Sequence, residues 1–438
     1  VWGFPRGAGL FGNRDFTLLL GGQLVSAAGD QAQGLALPLV VLALTGSAAR
    51  AGVVLGLGTV SFLAFGLVAG ALADRCDRRA LMVWCDVGRA LLTAGVAAAL
   101  WCGALTMPQL YATAVLSGVL TTVFQVASTA ALPNVVGPRQ LPAALGWSQS
   151  ASGAVGIVGA SLAGALYAVG RIVPFAVNAV SFAVSAASLR MMRARFQEDG
   201  RGAPAVRGES GGTRVAAEIR AGLGWLRRQP VIRFLTLVSA ADKVRYGAGY
   251  LLIVTLARES GASPVWIGVV FSGAAAGAMA GALVSARAAA RFPLGRIAVV
   301  MLWSEALMFP LYALAPGPPA LALVAAAESL VAPVYTVAMT THQLALTPDA
   351  LRGRVTSATS TIGTGALSLG TLAGGWLIAE LGAERLVWVC GGWLVVLAVL
   401  TTANPAVRCA PRAGVLGSAG VGEGPDAVRP ATTATGPV

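Results

Sequence analysis

Between two long apolar runs, at about 51–73 and 80–102, lies the stretch Gly70-Ala71-Leu72-Ala73-Asp74-Arg75-Cys76-Asp77-Arg78-Arg79. Leaving a charged side chain in hydrocarbon costs about 2.5–3.5 kcal/mol on insertion scales. Asp74, Arg75, Asp77, Arg78 and Arg79 therefore fix a short loop at a water interface, with a membrane-length segment on either side. That juxtaposition rules out most folds open to a chain of this length.

The rest of the chain repeats the pattern. It is 56% hydrophobic and 11% charged, whereas soluble domains carry roughly a quarter charged residues. A spanning helix needs about 20 apolar residues. Twelve runs qualify: 17–45, 51–73, 80–103, 108–132, 143–168, 172–192, 231–257, 264–286, 296–315, 318–343, 355–380 and 385–403. The first exceeds what a bilayer requires, which predicts tilt or a partly interfacial segment. The expected fold class is an all-α membrane protein, with twelve transmembrane helices in two six-helix bundles.

A net charge of +13 over 438 residues invites a nucleic-acid reading, but its distribution opposes one. Arg75, Arg78, Arg79, Arg139, Arg190, Arg193, Arg227, Arg287, Arg291, Arg352 and Arg354 fall in loops of one side. The other side holds little beyond Arg50, Arg171, Arg258 and Arg385. By the positive-inside rule the basic side is cytoplasmic, with both termini there and the plasma membrane as the expected location. The expected partners are a small-molecule substrate and membrane lipids, with no nucleic acid, and the chain is expected to be a monomer.

Five scattered cysteines lack metal or redox spacing, and His342 is the single histidine, so no metal site is expected. Val1–Asn13 is Gly-rich, and the following run is too long for an h-region, so no cleavable signal is expected. There is no phosphate loop and no nucleophile–base pair, so neither ATP use nor an enzyme is expected. No cofactor is expected either; a proton gradient would supply the energy.

The chain breaks once, at 193–230, where Arg, Glu, Gly and Pro cluster. This reads as a cytoplasmic linker. Its end, with Val215, Ile219, Gly222 and Leu226 at helical spacing, reads as an amphipathic interfacial helix. The predicted domains are thus an N-terminal bundle at 1–192, the linker, a C-terminal bundle at 231–403, and a disordered cytoplasmic tail at 404–438. The bundles echo each other. Asp30 lies mid-span in run one and Asp242 in run seven, each followed at a like distance by an apolar stretch. A parallel repeat of six plus six suits a transporter with two rocking halves. At Gly281–Arg296 the second half keeps arginines but has no acid, so the Asp74 device is expected on one side only.

Ionisable groups inside spans are functional candidates by default. Asp30, among Ser26, Gly29, Gln31 and Gln33, sits on a helix suited to line a polar cavity. A carboxyl group there can cycle a proton. Asp242, Glu305 and Glu328 are further proton-coupling candidates; for Asp242, nearby Lys243 and Arg245 leave a gate pair as the alternative. Asp86 and Arg89 lie three apart and are read as a structural pair. Gly156, Gly159 and Gly164 let run five approach its neighbours closely. Gln31, Phe124, Gln125, Tyr246, Tyr250 and Trp303 are the candidate cavity walls, against the alternative that such aromatics face lipid.

The motif Gly70-x-Leu72-Ala73-Asp74-Arg75-x-x-Arg78-Arg79 resembles the loop between helices 2 and 3 of the major facilitator superfamily of secondary transporters. The resemblance implies that Gly70, Asp74, Arg75, Arg78 and Arg79 form a latch between helices 2 and 11 in the outward-facing state. Asn13–Leu19, Gly29-Asp30-Gln31, Glu218–Gly222 with Trp225–Pro230, and Pro348–Val355 look like the exporter branch that includes the enterobactin exporter and macrolide efflux proteins. The run-five glycines resemble the helix-5 motif of proton-driven exporters, but Ala160 replaces its usual proline, and Gln125 stands near where that branch carries an acid. The resemblance implies proton-coupled efflux of small amphipathic compounds (a drug, macrolide, siderophore or other natural product). An importer or uniporter on the same fold, or a receptor without transport, are the alternatives.

Overall fold

The computed structural model describes residues 10, 12–137, 140–193, 196 and 224–408. Most of the linker, including Val215, Ile219 and Gly222, lies outside the described residues, as does the tail from 409. Six long helices precede the linker: α1 (Arg14–Thr45), α2 (Ala48–Arg75), α3 (Arg78–Trp101), α4 (Met107–Val136), α5 (Leu141–Val169) and α6 (Val173–Met191). Six follow: α7 (Pro230–Glu259), α8 (Pro264–Arg291), α9 (Leu294–Leu314), α10 (Pro318–Leu346), α11 (Asp349–Leu381) and α12 (Ala383–Ala403). Eleven are long and apolar enough to cross a membrane; α7, with Asp242, Lys243 and Arg245 at its centre, is the exception. Leu91, Trp101, Leu307 and Leu323 stand exposed on the outer faces, as expected of a surface solvated by lipid.

Local signals set the helix ends. Asn13 caps α1 by accepting from the backbone N–H groups of Asp15 and Phe16 at 3.0 and 3.2 Å, a contribution of about 1 kcal/mol. Gly46 ends it in the left-handed conformation, φ 64°. Asp77 caps α3 through the N–H of Ala80 at 2.6 Å, so one acid of the charged loop has a structural task. Pro310 interrupts α9 because it has no N–H to continue the ladder.

In the first half α1 packs on α6 and α5, α2 on α4, and α3 on α4 and α6. In the second α7 packs on α11, α8 on α10, and α9 on α12. Two seams join the halves: α2 with α11, and α5 with α8. Both are tight at the end away from the charged loop. A Cβ added at Gly52 of α2 would lie 2.8 Å from the Gly375 Cα of α11, and one at Gly164 of α5 3.0 Å from the Val265 Cα of α8. At mid-depth the gaps widen: a Cβ at Gly156 comes only within 3.9 Å of Ala275, and one at Gly365 within 3.9 Å of Leu63. Towards the charged-loop end a Cβ at Gly66, Gly70, Gly146 or Gly153 meets nothing within 4 Å. The halves therefore splay, and the space between them opens towards the basic loops.

Proline also prepares one link across the centre. Pro38 cannot donate to the carbonyl of Gly34 four residues earlier. The Tyr250 hydroxyl of α7 donates to that carbonyl instead, at 3.1 Å, while its ring stacks on Phe271 at 4.6 Å. Nearby, the hydroxyls of Ser161 (α5) and Ser272 (α8) meet at 2.7 Å.

Candidate functional site

Each half buries one arginine among acids. In the second half Arg245 stands 4% exposed at the junction of α7, α9 and α10. Its guanidinium reaches three carboxylates: Asp242 Oδ1 at 2.8 Å, Glu328 Oε1 at 2.8 Å and Glu305 Oε2 at 3.3 Å. Asp242 is its own-helix neighbour at i−3; the glutamates arrive from α9 and α10. The turn after Pro310 brings Tyr312, whose hydroxyl donates to Glu328 Oε2 at 2.8 Å. The ring of Phe309 lies 4.8 Å from the guanidinium carbon. With all three acids ionised the group would carry a formal charge of −2. Lys243 takes no part: it is exposed and its ammonium lies beside Gly363 of α11.

In the first half Arg89 pairs with Asp86 on α3, both buried. Its guanidinium sits between two rings, 4.6 Å from the Phe124 centroid and 4.3 Å from that of Phe182. Asp86 Oδ2 and Arg89 Nε have no partner among the described residues. Asp30 of α1 lies close by, and it is exposed. Asn178 of α6 donates to Asp30 Oδ1 at 3.4 Å and to Gln33 Oε1 at 2.7 Å, and Thr93 donates to Gln33 at 3.2 Å. Sequence reasoning did not single out Asn178 or Tyr312. The signal for Asn178 was an amide in the otherwise apolar run 172–192; Tyr312 had none, because its role depends on the turn at Pro310.

The structure thus unites Asp242, Glu305 and Glu328 and keeps Asp30 apart from them. Gln31 is exposed, and its side chain packs where a Cβ at Gly159 would come within 3.1 Å. Tyr246 is 63% exposed and Gln125 is exposed, whereas Phe124 is buried under Arg89. Trp303 faces α12, donating to Thr402 at 3.1 Å. Gln33 and Gln125 border a cleft of about 350 Å³ between α1, α2 and α4.

At the charged loop, the side chain of Asp74 lies outside the described residues. Arg75 is exposed. Arg78 donates to the carbonyls of Ala73 and Ala130 at 3.1 and 2.9 Å, and Arg79 to those of Leu189 and Arg190. These arginines tie the ends of α2, α4 and α6 within the first half.

Two helical bundles, joined at one end, splayed at the other and carrying buried ionisable groups, define a membrane transporter architecture. The family model described as Major Facilitator Superfamily matches residues 19–242, and the chain belongs to that family. No curated protein matches its sequence. Among solved structures it resembles a point mutant of the nucleoside transporter NupG (TM-score 0.74, 10% identity, covering 89% of this chain and 99% of that one). It also resembles a bacterial homologue of the iron transporter ferroportin in an inward-facing state (0.68, 18%, 89% and 98%). A third likeness is to the human organic anion transporter MFSD10 (0.60, 18%, 89% and 99%). At these identities the likeness is one of fold.

Proposed function

We propose that this protein is a proton-coupled exporter of small amphipathic compounds, working by alternating access in the plasma membrane with the basic loops in the cytoplasm. One observation supports the proton coupling: three acids from three helices share one guanidinium, which leaves a formal charge of −2 when all are ionised. Asp30, exposed near the middle of α1, is in this reading the acid that exchanges protons with the open side. In this reading the splay towards the basic loops is the inward-open state. The ferroportin homologue of similar fold was solved in an inward-facing state. Neighbours that carry nucleosides, iron or organic anions do not choose a substrate, and the exporter branch is supported by the motifs of the sequence. Each charge moved across the membrane contributes about 2.3 kcal/mol per 100 mV, enough to concentrate a substrate outward.

The test is proton movement in proteoliposomes under an imposed pH gradient, with lipophilic drugs, macrolides and siderophores added in turn. Collapse of the gradient by one compound class, lost in Asp30→Asn, supports antiport. Gradient-independent uptake of a compound with no proton movement refutes it in favour of a uniporter.

A further inference from the structure

Within the first half, a cleft of about 350 Å³ lies between α1, α2 and α4. That is the size of a small-molecule site. Its lining residues include no charged side chain. One wall is a polar stripe: Thr113, Ser117, Thr121 and Gln125 recur every four residues on α4 and so share one helix face. The facing wall is mainly apolar, with Val54, Leu55 and Phe62 of α2 and Leu37 of α1, alongside Thr59 and Gln33.

One of these polar groups is buried without a partner. Ser117 Oγ is buried and makes no hydrogen bond among the described residues. By contrast Thr122, one position off the stripe, spends its hydroxyl on the Gly118 carbonyl at 2.8 Å. The Gln33 carbonyl oxygen accepts from both Asn178 and Thr93, which directs its amide nitrogen elsewhere. A buried polar group without a partner is costly, and Ser117 within a polar stripe that faces apolar side chains suits an amphipathic ligand.

We propose that this cleft is a binding subsite for an uncharged compound with hydroxyl or carbonyl groups along one edge and an apolar ring on the other. It rests on the transporter reading above and specifies the substrate class. An ionised group would find no counter-charge on the lining, and moving a charge out of water without one is costly. Gln33 links the subsite to Asp30, since Asn178 donates to both.

The test is equilibrium binding to the full chain in lipid nanodiscs, with no proton gradient. Three probes of similar size are used: 3-phenylpropane-1,2-diol (neutral), benzyltrimethylammonium (cationic) and benzenesulfonate (anionic). The neutral probe is expected to bind at least tenfold more tightly than either ion. In Thr121→Cys, mass spectrometry of the labelled peptide is expected to show N-ethylmaleimide reaction slowed at least fivefold by that probe. The variants Thr121→Val and Gln125→Leu are each expected to weaken its binding at least fivefold, so that poor folding of one leaves the other. Equal or tighter binding of an ion, unaltered labelling at position 121, or no saturable binding of the neutral probe would each overturn the proposal. Probe binding at position 121 without proton flux would defeat the proton reading and leave the subsite standing. Proton flux without probe binding would do the reverse.

Discussion

Arg89 and Arg245 solve the same problem, a guanidinium inside a membrane protein, in opposite ways. Arg89 has one carboxylate partner and stacks between two phenyl rings. Its charge is nearly balanced, and the neighbouring acid, Asp30, stands outside the pair, exposed and bonded to Asn178. Arg245 has three carboxylate partners drawn from three helices and one ring beside it. The first arrangement balances an arginine with one acid, and the second gathers more negative charge than one guanidinium can neutralise. In the proposed reading the first half presents a proton to water through Asp30 and the second draws one into the bundle.

The comparison is sharpest where an arginine is removed. Breaking a buried pair by deleting one partner costs about 3–5 kcal/mol. Arg245→Met strands three acids and Arg89→Met one, so the first variant should lose far more folded protein in thermal unfolding. Equal losses would contradict the assigned difference. The double change Asp86→Leu with Arg89→Leu should fold almost as well as the parent, because deleting both members of a buried pair is often neutral.

Next in size are the acids. Asp30→Asn keeps a partner for Asn178 and should abolish proton-coupled transport with little loss of stability; normal coupling in that variant would return Asp30 to a structural role. Glu305→Gln removes one of the three negative charges around Arg245 and should be at least as stable as the parent in thermal unfolding. A large loss of stability would show that the guanidinium needs all three carboxylates.

Smaller effects are expected at the seam and the loop. Gly52→Val cannot fit beside Gly375 and should shift the protein away from the state seen here, while Gly66→Val, with open space around it, should not. Accessibility of cysteines on either side of the seam distinguishes the two. Asp74→Asn is expected to slow turnover several-fold with little change in substrate affinity; an unchanged rate would count against a latch.

The helices were legible because hydrocarbon imposes a length on every span: all twelve apolar runs correspond to a long helix. Asp86 with Arg89 was legible because three residues along a helix is a contact. The gathering around Arg245 was not, since Glu305 and Glu328 lie 60 and 83 residues away. Their meeting depends on how α9 and α10 settle against α7, and on the break at Pro310. Asp30 and Asp242 read as counterparts, yet one is exposed and bonded to Asn178 while the other is buried on Arg245. Position within a repeat says nothing about the neighbours supplied by other helices. The α4 stripe at every fourth residue is visible in the sequence, but only the packing of α2 and α1 around it makes it the wall of a cleft.

The central claim is that protonation decides which end is open. Spin labels at Gly146→Cys on α5 and Ala286→Cys on α8, both near the basic end, report that opening as an inter-label distance. The account predicts a distance that shifts between acidic and alkaline buffer in the parent and no longer responds to pH in Asp30→Asn. The same pH-dependent shift in both proteins would contradict it.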